Sequence, residues 1–275
     1  RAHLEEENAW TEAALSPIAE LRKGLAIEIK GRIKEDDSSV PAIDSDWAYY
    51  RRFVEGGQYP LLCRRPCEDL DSTNEQVLLD GNLEAQGEKF FAIGGAVHSP
   101  DHRLLAVAID QKGSEYCKII LRDMETNDFL SDELMDAQGD MVWSADSASL
   151  FYTILDENHR PGKVMRHAVG TPPAQDTLVY EETDPGFFVR INKTESSRFV
   201  VIYTHDHANT SEVRLIPTEE PITPPRLLLP RETGVTYDVS DHGETLFIRT
   251  NRDAVDFRIV MAPLDDPDPS NWVDL

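Results

Sequence analysis

The sequence predicts an all-β protein of the propeller class: a partial propeller of about five blades, each a four-stranded antiparallel sheet, behind an N-terminal helical extension. Two observations predict it. The first is a recurring turn-plus-strand unit. Ser99-Pro100-Asp101 leads into Leu104–Ile109, Trp143-Ser144-Ala145-Asp146 into Leu150–Leu155, Thr194-Glu195-Ser196-Ser197 into Phe199–Tyr203, and Val239-Ser240-Asp241-His242-Gly243 into Thr245–Arg249. Taking Ser99, Ser144, Thr194 and Ser240 as equivalent gives spacings of 45, 50 and 46 residues, the range of propeller blades. The second is that short apolar runs bounded by Gly, Pro, Asp and Asn fill the chain from Asp44 onward, with no alternating helices between them.

The helical extension covers residues 1–43. Ser16-Pro17 is placed to restart a helix, with Ser16 as N-cap and Pro17 at the first helical position. Ile18, Leu21, Leu25, Ile29 and Ile33 then recur at helical spacing and form one apolar stripe that needs a covering surface. Gly31 and the run Lys34-Glu35-Asp36-Asp37 end it.

The propeller segment, 44–275, follows as sets of strands. Trp47–Val54, Leu61–Arg65 and Gln76–Leu79 make the first sheet, with Gly56-Gly57 turning between the first two strands. Phe90–His98, Leu104–Ile109, Cys117–Arg122 and Phe129–Met135 make the second. Met141–Trp143, Leu150–Leu155, Val164–Ala168 and Thr177–Tyr180 make the third, and Phe187–Asn192, Phe199–Thr204, Glu212–Ile216 and Arg226–Leu229 the fourth. A fifth has only Val235–Val239, Leu246–Thr250 and Phe257–Ala262. A blade lacking its fourth strand, in an array of about five, leaves unpaired edges. The chain is therefore expected to be part of a longer protein, an expectation that Arg1 in place of an initiating Met shares.

The 275 residues carry 27 basic and 51 acidic side chains, a formal charge of −24, which argues against nucleic acid and against an anionic membrane surface as partners. The charge fits a well-hydrated soluble surface, and it would also draw in cationic ligands. Cys63, Cys67 and Cys117 form no zinc spacing and suit a reducing compartment, as small buried side chains. No apolar run is long enough to span a bilayer.

No catalytic, cofactor-binding or metal-ligating residue is assigned from the sequence, and no cofactor is expected. Gly-x-Ser-x-Gly is absent. Gly94-Gly95 precedes a strand rather than a helix, which disfavours a phosphate loop. His205-Asp206-His207 is the most metal-like cluster, but it follows a strand and has no third ligand nearby, so a polar hairpin turn is expected. Asp156-Glu157-Asn158-His159-Arg160-Pro161 occupies the equivalent turn one repeat earlier. Asp36-Asp37 and Glu181-Glu182 are adjacent pairs whose side chains diverge in extended backbone.

Several loop motifs carry a family resemblance. The run Gly31–Pro41, Tyr49-Tyr50-Arg51-Arg52, Gly57-Gln58-Tyr59-Pro60 and Cys63-Arg64-Arg65 resembles the N-terminal region of the oligopeptidase B group of prolyl oligopeptidase-like serine peptidases. So do Ser99-Pro100-Asp101, Asp110–Glu115, Trp143–Asp146, His159-Arg160-Pro161 with Arg166-His167, Asp184–Phe188, and His205-Asp206-His207 with Thr210-Ser211-Glu212. The resemblance implies a propeller that caps a C-terminal α/β-hydrolase domain, limits access to short peptides cleaved after Lys or Arg, and works in the cytoplasm. It implies that the triad lies outside these residues, that this piece alone is inactive, and that the Ile18–Ile33 stripe covers the catalytic domain. Without that cover, the fragment is expected to self-associate or to show disorder before about Ser39. A free-standing propeller that binds partner proteins is the alternative.

Overall fold

The structure, a computed structural model, describes residues 1–69 and 73–275. It forms two compact units, Arg1–Glu84 and Ala85–Leu275.

The first unit opens with α1 (Ala2–Leu15) and α2 (Ala19–Gly31), joined by a 3₁₀ turn over Ser16–Ile18. Pro17 stands in the first turn of that 3₁₀ segment, but the predicted cap is not made. Ser16 Oγ instead donates backwards to the Ala13 carbonyl at 2.9 Å, because the backbone at Ser16 is itself helical and cannot present the hydroxyl to the next turn. Neither helix buries a single residue, and Ile18, Leu21, Leu25, Ile29 and Ile33 are all exposed. The strands β1 (Ala42–Asp44), β2 (Trp47–Arg52), β3 (Leu61–Pro66) and β4 (Gln76–Asp80) then pair in sequence order into an antiparallel sheet, followed by the short α3 (Gly81–Glu84). The strand β1 was not expected. It pairs with β2 across Ser45, whose φ of 54° makes the tight turn, so that Asp44 lies opposite Trp47.

The second unit begins with β5 (Ala92–His98), β6 (Leu104–Asp110), β7 (Cys117–Asp123), β8 (Phe129–Trp143), β9 (Ser149–Leu155), β10 (Pro161–Ala168) and β11 (Thr177–Glu181), all in one hydrogen-bonded sheet. The sequence predicts two strands where β8 is one of 15 residues. Its first half closes the blade of β5–β7 and its second half opens the blade of β9–β11, so two four-stranded blades share it. The backbone stays extended through the crossover because the distortion is absorbed locally. Asp136 and Gly139 take φ of 58° and 125°, and the β8–β9 register slips between Ala137 and Met141.

A further blade is β12 (Phe188–Lys193), β13 (Phe199–His205), β14 (Ser211–Pro217) and β15 (Arg226–Leu227). The last is β16 (Tyr237–His242), β17 (Thr245–Thr250), β18 (Arg258–Pro263) and β19 (Val273–Asp274). Two expectations are corrected here. The fifth blade does have a fourth strand: Val273 and Asp274 pair with Met261 and Val260, a two-residue strand too short and too polar to read as a periodic run. And β16 continues through His242, so the reversal falls on Gly243-Glu244, where Gly243 supplies the positive φ of 58°.

The core explains why the strands read as unbroken apolar runs. In β13, Val200 and Ile202 pack toward Val142, Phe151 and Val164 of the preceding blade, whereas Phe199 and Val201 pack toward Tyr237, Leu246 and Ile248 of the next. Both faces of β13 are covered, and all seven residues of β6 are buried as well.

Candidate functional site

Hydroxyl residues build the hairpins between the first two strands of three blades in unit two. Ser99, Ser144 and Thr194 accept through their side-chain oxygen from the amides of Leu104, Ser149 and Phe199, at 2.9, 2.9 and 3.2 Å. Three residues after each, His102, Ser147 and Ser197 take φ near 60°. Ser99 and Ser144 also donate to Asp101 and Asp146, each at 2.5 Å. Neighbouring turns are linked: Ser147 Oγ accepts from the Asp101 amide at 3.1 Å, and Ser196 Oγ donates to Asp241 at 2.6 Å. The recurring hydroxyl is thus a turn-closing device. Its partners are an amide and a carboxylate at Ser99 and Ser144, and an amide and the Ser196 hydroxyl at Thr194, so it lacks the imidazole an activated nucleophile requires.

At the other end of the strands, aspartates close the second hairpin of the same three blades. Asp110 accepts from the amides of Lys112, Gly113 and Glu115, Asp156 from those of Asn158 and Arg160, and Asp206 from those of Ala208, Asn209 and Thr210. The equivalence of the Asp156 and Asp206 turns therefore holds in the structure. Burial alone would raise Asp110 and Asp156, but these donors outweigh it and hold both below the ordinary carboxylate range. The Thr210 amide is the largest influence lowering Asp206.

His205 ends β13 and His207 sits in the turn at φ 62°. Their rings meet edge-on with centroids 4.5 Å apart, and Phe188 lies 4.2 Å from His207. Asp206 faces its own amides, and no group of three His, Cys, Asp or Glu side chains arranged for a metal occurs among the described residues. A cavity of about 390 Å³ opens beside the two histidines, walled also by Arg190 and Tyr203. Burial, then His207 and Arg190, lower the His205 pKa.

Two buried polar clusters escaped the sequence reading. His167, fully buried, lies 2.7 Å from Asp176 through Nδ1 and 3.4 Å from Asp132 through Nε2, the latter poorly aligned for a hydrogen bond. Tyr152 donates to Asp176 at 2.8 Å and the Gly170 amide to Asp132 at 2.7 Å. Between the third and fourth blades, Arg231 pairs with Glu182, lies 3.5 Å from Glu212, and stacks 4.0 Å over Phe187. Their members come from separate strands and loops, so no local spacing announces them. The adjacent carboxylates diverge as expected: Glu182 is buried in this cluster, while Glu181 is exposed and pairs with Lys163 at 3.1 Å. Asp37 pairs with Lys34 at 3.4 Å on the surface, apart from exposed Asp36.

Gly94 and Gly95 lie inside β5, where it meets the crossover of β8. A Cβ on Gly95 would stand 2.4 Å from the Gly139 carbonyl oxygen, and one on Gly94 would stand 2.7 Å from Cys117 Sγ. They are glycines because two backbones approach there. All three cysteines are free. Burial pushes the Cys63 thiol up to about 12 and the Cys117 thiol up to about 11, leaving both as packing residues.

Comparison with known proteins agrees with this architecture. The family described as prolyl oligopeptidase, N-terminal beta-propeller domain, matches residues 1–275. Dipeptidyl aminopeptidase BI of Pseudoxanthomonas mexicana is 38% identical over 290 residues, covering 99% of this chain and 40% of that protein. Protease 2 of Moraxella lacunata is 30% identical over 269 residues, covering 96% of this chain and 39% of the relative. The chain thus spans about two fifths of the length of these relatives. Among solved structures, oligopeptidase B of Leishmania major superposes with a TM-score of 0.92 at 31% identity, covering 99% of this chain and 39% of that one. Oligopeptidase B of Trypanosoma brucei, with covalently bound antipain, gives 0.89 at 29% identity, covering 100% and 39%. Strand pairing, turn chemistry and whole-length similarity converge: the chain belongs to the prolyl oligopeptidase family, as its N-terminal β-propeller domain.

Proposed function

We propose that this propeller works as the access-limiting lid of a serine oligopeptidase, seated on a C-terminal α/β-hydrolase domain and admitting short peptides cleaved after Lys or Arg. The observation that carries the reading is the whole-length match to oligopeptidase B with a TM-score of 0.92, in which this chain corresponds to 39% of the longer protein. The helices add a physical argument. Ile18, Leu21, Leu25, Ile29 and Ile33 stand exposed on an extension with no buried residue, a surface that a second domain would bury favourably. The charge of −24 favours approach of basic peptides. Three free thiols suit a reducing, cytoplasmic setting.

A chimera tests the reading, with this chain replacing the matching 40% of the Pseudoxanthomonas relative. Cleavage of short peptides with folded proteins left intact is the expected result. A chimera that digests a folded protein as readily as its unfolded form would show that this propeller does not restrict access.

A further inference from the structure

The cavity beside His205 holds an anomaly of charge. In a chain with 51 acidic and 27 basic residues, Arg190 has no described carboxylate within 4 Å, although it projects from β12 into a cavity of about 390 Å³. Arginines on the surrounding elements are engaged: Arg160, Arg198, Arg214 and Arg231 pair with acids, and Arg166 and Arg226 donate to the Pro221 and Leu264 carbonyls, each at 2.8 Å. The remaining wall is rich in donors. It presents the imidazoles of His205 and His207, the hydroxyls of Tyr203 and Thr236, 3.4 Å apart, and the Thr210 side chain. The one acid in the wall, Asp206, is engaged by three backbone amides of its own turn. The aromatic rings of Phe188 and Tyr203 back the imidazoles at 4.2 and 5.3 Å, which fixes their planes.

We propose that this cavity binds a small oxyanion, held bidentately by the Arg190 guanidinium and hydrogen-bonded by His205, His207 and Tyr203. A planar guanidinium fork matches an oxyanion edge, and the volume suits a small ligand. Either a mineral oxyanion or the C-terminal carboxylate of a short peptide would supply that chemistry.

The site carries a pH signature. The groups facing His205 are Arg190 from β12, with His207 and Asp206 from the turn; burial, then His207 and Arg190, disfavour its protonation, and Asp206 favours it. Further along, Asp140 faces Arg190 and is itself held above the ordinary range by burial, which the Arg190 charge partly offsets. A bound anion adds negative charge beside both rings, so binding and imidazole protonation reinforce each other, and affinity rises as pH falls.

The test is histidine-selective NMR of the 275-residue chain, titrated at constant ionic strength with sulfate, with triglycine, and with triglycine amide. The expected result is a saturable shift of His205 and His207, with His3 in α1 unmoved, and tighter binding at pH 6 than at pH 7.5. Arg190→Gln, at an exposed position, should weaken binding by at least about tenfold while leaving the thermal unfolding midpoint unchanged. Saturation by sulfate identifies a mineral-anion site; saturation by triglycine but not its amide identifies a peptide-terminus site. Absence of saturation by either anion, equal binding of the amide, or undiminished binding by Arg190→Gln would overturn the proposal.

Discussion

Single residues set the stability of unit two where polar groups are buried. His167 separates the carboxylates of Asp132 and Asp176 in a fully enclosed site. Replacing it with alanine leaves both acids facing a void, so His167→Ala should cost about 3–5 kcal/mol, read as a fall in the urea midpoint. The thiols give a second residue-scale prediction. Cys63 and Cys117 are buried, with thiols pushed up to about 12 and about 11, whereas Cys67 is partly exposed. Native protein at pH 8 should release one rapidly reacting thiol to a disulfide reagent, assigned to Cys67 by mass spectrometry, and the other two only on unfolding. The resemblance includes Arg166-His167 only as a motif, and nothing in the local sequence pairs His167 with acids 9 and 35 residues away. Arg190 was equally silent, because its meaning lies in the groups that other elements bring around it.

At the scale of elements, the recurring turn is the most legible feature, and its chemistry explains why. A hydroxyl, a small or kinked residue and an acid in fixed order satisfy the amides of a hairpin using only local groups, so the pattern survives in sequence. What was missed at this scale was set by partners rather than by local composition. The residues Asp136–Asp140 read as a break, yet β8 runs through them, with β5 in close approach at Gly94 and Gly95. The strand β19 exists only because β18 offers an edge. Ser144→Ala should destabilise by about 1–2 kcal/mol through loss of an amide acceptor and a carboxylate donor. Gly95→Ala, forced against the Gly139 carbonyl, should cost about 1–3 kcal/mol. The turn acids also fix the acid limb of stability. The Ser144 hydroxyl is the largest influence lowering Asp146, while amide donors lower Asp206 and outweigh burial at Asp110 and Asp156. A depressed native pKa gives stability that is complete above the unfolded value of about 3.9 and is lost as pH falls through the native value. The urea midpoint should therefore drop below about pH 4, and Asp146→Asn should make that drop shallower.

For the whole molecule, charge and partnership dominate. A formal charge of −24 repels itself in any compact state, so raising ionic strength from 0.01 to 0.15 M at pH 7 should raise the thermal midpoint; an unchanged or lower midpoint would assign the acids to favourable local pairs instead. The apolar stripe of α2, exposed in the isolated chain, should make it self-associate in light scattering, whereas a strictly monomeric chain with protected helices would remove the argument for a covering domain. The blade architecture and its repeat were legible because each blade restates the same local rules. The partner of the helices was legible only through family resemblance, since an apolar stripe names a need and not an occupant. The proposed lid role requires that the propeller restrict a peptidase to short substrates. The direct measurement is hydrolysis by the protein expressed from its complete coding region, comparing a fluorogenic tetrapeptide ending in Arg with a folded protein that exposes Arg on its surface. Rapid cleavage of the peptide with the folded protein left intact is the predicted result; cleavage of both at comparable rates, or of neither, would contradict it.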